Sequence, residues 1–155
     1  MRLQKNTSLA LYSVIEFAAA PERHIPAAEI AEKYQVSPHH LAKVLSELAR
    51  SGIVESVRGV GGGYRFAGNA RRLTLLDVIQ LFEDFSESPA ERGDPGDLTA
   101  VGIALGGVLT EIDQHAKAIL GSITLSTMLR LSAAAAAASD SDAEVPVERV
   151  EIRGK

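Results

Sequence analysis

The chain has 155 residues, a net charge of −4, 46% hydrophobic and 23% charged residues, and no cysteine. This is the composition of a soluble globular protein with one core and an appendage, long enough to fold without a metal or disulfide staple. The missing thiols exclude disulfide frameworks, thiolate zinc sites, cysteine nucleophiles, thiol redox switches and all-cysteine iron–sulfur clusters.

No apolar run approaches the roughly 20 residues of a membrane span, and the opening MRLQKNTSLA lacks the hydrophobic stretch of a secretory signal, so a cytoplasmic location and no membrane partner are expected. Charge is divided unevenly. Residues 1–72 hold 10 Lys and Arg against 6 Asp and Glu, whereas residues 73–155 hold 6 against 14. A basic first half points toward a polyanion, which the acidic second half should face away from.

In chain order, Thr7 or Ser8 is placed to cap a first helix carrying Leu11, Val14, Ile15 and Ala18 on one face, ended by Pro21. Residues 27–34 (AAEIAEKY) predict a short second helix. Ser37 as cap and Pro38 at the first helical position then open a third, running to about Arg50, with Leu41, Val44, Leu45 and Leu48 inward and Ser51-Gly52 as its exit. Two helices joined this closely must cross steeply, as in a helix-turn-helix. From Ile53 the apolar period falls to two, predicting a strand to Arg58, a reversal through Gly59–Gly63 and a returning strand from Tyr64 to Ala67. This is a hairpin wing. A phosphate-binding glycine loop would need a helix directly afterwards, and position 64 is Tyr where a dinucleotide fingerprint wants glycine.

Thr74 and Asp77 resemble a capping box for a helix with Leu75, Val78, Ile79 and Phe82. Residues 86–97 read as an acidic loop. The following helix, about 98–120, carries Val101, Leu105, Val108, Ile112, His115 and Ile119 at alternating spacings of four and three, a seam suited to a partner helix. Leu109 and Ala116 widen it, and Gly106-Gly107 weaken any strict coiled coil. A last short helix from about 125 runs into Ala133–Ala138 and an acidic tail, for which flexibility is expected over an edge strand.

With its apolar face inward, the third helix turns His39, Lys43, Ser46 and Arg50 outward as one polar stripe. A helix fits the major groove of DNA, where its N-terminal residues reach base edges and its positive dipole end favours phosphate. Ser37, His39, His40 and Lys43 are therefore the expected contacts. Adjacent histidines point about 100° apart and do not make the i, i+4 pair a metal wants. Arg58 and Arg65 flank the wing turn, and Gly61, Gly62 and Gly63 would let the backbone approach the duplex. One arginine near phosphate and the other near the minor groove suits their planar, permanently charged heads. Arg2 and Lys5 can add backbone neutralisation.

The run VSPHHLAKVLSELARSGIVESVRGVGGGYRFA, residues 36–67, resembles the IscR/NsrR/CymR family of bacterial winged-helix transcription regulators, and the likeness extends in order and spacing over about residues 1–132. LTLLDVIQLFE and ITLSTML resemble the family's flanking segments. The resemblance implies a homodimer paired along the long helix, whose two heads read a dyad-symmetric operator on double-stranded DNA, with recognition helices about 34–36 Å apart. Many relatives hold an iron–sulfur cluster through cysteines at the positions of residues 86–105. This chain offers Ser86, Glu87, Ser88, Glu91, Asp94 and Asp97 there, and no spacing among these and His115 specifies a metal.

The expected fold class is therefore mainly α with a small β-hairpin: a winged helix-turn-helix domain over 1–85, an acidic loop at the sensor position over 86–97, a dimerisation helix with a following short helix over 98–132, and an Ala-rich, acidic tail over 133–155. The expected function is a dimeric, sequence-specific regulator, a repressor by expectation, with Val101, Leu105, Val108, Ile112 and Ile119 at the dimer interface and no cofactor. The alternative is a dimeric sensor or protein-interaction module answering to a partner protein or small ligand, with DNA binding secondary. No nucleophile elbow or metal-ligand spacing argues for an enzyme.

Overall fold

Apolar side chains at helical spacing draw three helices around one core: α1 (Lys5–Ala19), α2 (Ala27–Lys33) and α3 (Pro38–Arg50). In this computed structural model the described residues are 3–84 and 96–142. The strands β1 (Val54–Val57) and β2 (Gly63–Phe66) pair antiparallel, followed by α4 (Leu75–Ile79), α5 (Ala100–Ser122) and α6 (Leu125–Asp142). The fold is thus mainly helical with one small hairpin and a long helix beyond the head. No helix among the described residues is long and apolar enough to cross a membrane.

The head is held by side chains from every one of its elements. Phe17 and Val14 of α1, Ile30 of α2, Leu41, Leu45 and Leu48 of α3, Val54 of β1 and Val78 and Ile79 of α4 are all fully or almost fully buried. Each large side chain so buried stabilises the fold by roughly 1.5–3 kcal/mol from removed apolar surface. Leu125, the first residue of α6, is as deeply buried as these. Backbone hydrogen bonds stitch it there: Leu125 N–H donates to Leu73 O at 2.8 Å, Ser126 N–H to Ala70 O at 2.8 Å and Leu75 N–H to Ile123 O at 2.9 Å. The start of α6 therefore belongs to the head, and the C-terminal end of α5 lies beside α4.

Several local expectations hold. Ser37 caps α3, its hydroxyl oxygen accepting from His40 N–H at 3.2 Å, with Pro38 in the first turn. Thr74 and Asp77 form a reciprocal capping box. Others change. Helix α1 starts before Thr7 and Ser8, with Gln4 at its N-cap position. Gln4 N–H donates to Glu83 Oε1 at 2.8 Å, so a residue 79 positions away closes the helix start. Thr7 is wholly buried instead, and its hydroxyl has no hydrogen-bond partner among the described residues. Helix α6 continues past the expected boundary at 132 to Asp142, because Ala133–Ala138 have the highest helix propensity of any residue even where nothing covers them. The edge strand weighed for Val145–Ile152, the acidic loop residues 86–95 and the tail beyond 142 lie outside the described residues.

Behind the helix-turn-helix, Tyr34 at the end of α2 stacks on Tyr12 with ring centroids 5.0 Å apart and donates to Glu16 Oε1 at 2.6 Å, while Lys33 Nζ lies 2.5 Å from the same oxygen. Partial burial works against the Glu16 carboxylate, but the hydrogen bonds from Lys33 and Tyr34 and the charge of Lys33 outweigh it, leaving its pKa below the ordinary value. Burial and the adjacent carboxylate push the Tyr34 phenol up. The cluster braces α2 against α1, with Glu16 held ionised and Tyr34 neutral.

Candidate nucleic-acid interface

Helix α3 is positioned by its apolar side. Leu41, Val44, Leu45 and Leu48 are buried, which leaves His39, Lys43, Ser46 and Arg50 exposed in one stripe along the outer surface. Arg50 is engaged by Glu47, one turn earlier, at 2.9 Å. His40 is half-buried. It turns away from the stripe toward a concavity that it lines with Ser37, Gln35, Lys5 and the two stacked tyrosines. The two histidines therefore face different surroundings, as their 100° separation requires.

The tight approach of α2 to α3 depends on Gln35, which takes φ of 51°, a left-handed conformation unusual for a residue other than glycine or asparagine. Val36 N–H then donates to Ala31 O at 3.0 Å and seals the turn. Sequence reasoning located this turn but not its strained residue, for which no glycine or asparagine gave a signal.

The wing is anchored on one side and open on the other. Val54 and Phe66 pair across the strands and face the core, and Tyr64 packs its ring against Phe17 at 6.2 Å. Gly63 meets the head: Tyr64 N–H donates to Ile25 O and Ile25 N–H to Tyr64 O, both at 2.9 Å, and a Cβ on Gly63 would fall 2.5 Å from the Ile25 carbonyl oxygen. Its φ of 150° is also one that side chains avoid. Gly63 is where the hairpin docks on the loop after α1, a packing role that the expectation of a DNA approach point did not include. A Cβ on Gly62 would run into the Val57 carbonyl inside the turn. Gly61 and Val60 are the exposed tip, with Val60 wholly uncovered.

Arg58 is exposed beside that tip. Arg65, on the returning strand, is paired within the wing. Strand register sets it opposite Glu55, and its guanidinium donates to the Glu55 carboxylate through Nε at 2.7 Å and through a terminal nitrogen. Hairpin pairing was legible, but the pair it creates was missed because the charges were read one at a time.

Along α5 no residue is buried. Val101, Leu105, Val108, Ile112 and Ile119 are all more than half exposed, and Leu98 and Ile103, which the heptad reading left out, are exposed beside them. The space around Gly106 and Gly107 is open. Apolar surface of this length on one chain marks an interaction face. His115 Nδ1 lies 2.8 Å from the Glu111 carbonyl oxygen of its own helix.

Residues 3–131 match the Rrf2 family, described as iron-dependent transcriptional regulators. The HTH-type transcriptional regulator BadM of Rhodopseudomonas palustris is 49% identical over 131 residues, 84% of this chain and 83% of that protein. Among solved structures, the oxidised form of CymR from Staphylococcus aureus has a TM-score of 0.67 at 24% identity, covering 83% of this chain and 96% of that one. T. potens IscR has a TM-score of 0.63 at 23% identity, covering 94% and 93%. These two likenesses show the fold.

An iron centre held by thiolates does not fit this donor set. The chain has no cysteine, and among the described residues no group of three or more His, Asp and Glu side chains is placed to hold a metal ion. The matched segment spans the head, the wing and the long helix together, and the chain accordingly belongs to the Rrf2 family as a DNA-binding transcriptional regulator that lacks the ligands of a cysteine-bound iron–sulfur cluster.

Proposed function

We propose that the protein acts as a homodimer, paired along α5, that reads a dyad-symmetric duplex with the N-terminal half of α3 and the wing of each protomer. The observation that carries this reading is the exposed stripe of α3, standing beside an outward hairpin on the same head, with its opposite side wholly consumed by the core. Ser37, His39 and Lys43 would face base edges and phosphates in the major groove, with His40 at its margin. Arg58 and Arg65 would meet the backbone or the minor groove, with Gly61 and Gly62 keeping the tip slim. Val101, Leu105, Val108, Ile112 and Ile119 would form the dimer seam.

In vitro selection from a random duplex pool tests this reading. A two-fold symmetric sequence should emerge, bound more tightly than a scrambled duplex at every salt concentration; a pool that never enriches would oppose it. Replacement of His39 by alanine should then cost about 1–3 kcal/mol on the selected duplex with little change on scrambled DNA, as loss of a base contact does. Equal losses on both would assign His39 to the backbone.

A further inference from the structure

The hairpin from Val54 to Phe66 carries three charged side chains, Glu55, Arg58 and Arg65. Strand alternation sends Val54, Tyr64 and Phe66 toward the head and leaves Glu55 and Arg65 together on the other face. Both observed bonds from Arg65 land on a single carboxylate oxygen, Glu55 Oε1. The guanidinium has five N–H donors, so three remain for another acceptor. Both side chains are partly exposed, at 38% for Arg65 and 44% for Glu55, and a solvent-screened pair of this kind adds little to folding. Stability is thus a poor account of it.

We propose that Glu55 is a positioning residue that restrains Arg65, suppressing its attraction to arbitrary duplex and so widening the preference for the cognate sequence. The proposal rests on the wing being a DNA contact. A phosphate that reaches the remaining donors of Arg65 meets a guanidinium whose charge is already offset by the Glu55 carboxylate, well within the Debye length of about 8 Å at physiological salt. On random DNA, where phosphate attraction supplies essentially all the affinity, that weakening of the Arg65 contact acts uncompensated. On a cognate duplex the base contacts of α3 fix the register and hold the wing in place despite it. Glu55 therefore lowers non-specific binding more than specific binding, as a like-charge contact does in other selective interfaces.

The test uses the full chain, a random-sequence 30-base-pair duplex and the best duplex recovered by selection with the wild-type protein. Glu55→Gln keeps an acceptor of the same shape and removes the charge. It should tighten binding to the random duplex and steepen its log–log salt slope by about 0.9, one additional phosphate contact, so that the affinity lost between 50 and 200 mM salt grows about 3.5-fold. The selected duplex should gain less, narrowing the ratio between the two. In an Arg65→Gln background the Glu55 substitution should change neither slope nor ratio. Glu55→Ser provides a second neutral variant should the glutamine protein melt early, and the same shifts are expected of it.

An unchanged salt slope and ratio in both neutral variants would overturn the proposal. So would a Glu55 effect that persists without Arg65, since the carboxylate would then act by itself. Failure of the wild-type protein to select any sequence is a different result and would overturn the DNA-reading function itself.

Discussion

An aspartate at Ile112 is expected to separate the protomers and to weaken binding to the selected duplex by about 10²–10⁴-fold, the advantage that a second tethered site normally supplies. Ile112 sits near the middle of the α5 seam and is 57% exposed in the single chain, so the substitution leaves the head's own packing untouched. In the proposed dimer, symmetry would bring two new carboxylates into the apolar α5 contact. An uncompensated buried charge costs several kcal/mol, and each 1.4 kcal/mol is tenfold in the dissociation constant. Light scattering should move from about twice 16.4 kDa to the single-chain mass at micromolar concentration. The melting of the head should change little. Retention of the dimer by Ile112→Asp would show that the seam lies elsewhere.

Truncating Phe17 should have the largest effect on folding. The ring is wholly buried, and it touches Tyr64 of the wing as well as the helices of the head. Phe17→Ala is expected to cost about 3–5 kcal/mol, since surrounding atoms collapse only partly into the cavity. Against a typical stability of about 5–15 kcal/mol, this brings the head close to its unfolding limit at physiological temperature. Urea denaturation should show a lowered midpoint at an unchanged slope. A loss below about 1 kcal/mol would contradict the packing described around α1.

The contrast between these two sites shows what the chain disclosed in advance. The limits of α3, its cap at Ser37 and its inward Leu41, Val44, Leu45 and Leu48 follow from spacing and from local side-chain chemistry, and both act within a few residues. The capping box at Thr74 is legible for the same reason. The start of α1 was not, because its capping group is Glu83, brought there by tertiary packing. Gly63 illustrates the same limit: as part of a glycine run it signals a turn, whereas its contact with Ile25 exists only once the hairpin has folded onto the head. Arg65 needed the strand register before its partner could be seen. The extension of α6 was underestimated because exposed alanines offer no apolar face to read, although their backbone preference suffices. The apolar period of α5 was visible, and its side chains are exposed in the single chain.

The account turns on two heads engaging one duplex, each with the start of α3 and the tip of its wing. Hydroxyl-radical footprinting of the wild-type protein on its selected duplex tests that most directly. Two equivalent protected regions are predicted, related by the sequence dyad, with their centres a whole number of helical turns apart and flanking protection where the wings lie. A single asymmetric patch, or cleavage indistinguishable from that of unbound DNA at saturating protein, would contradict it.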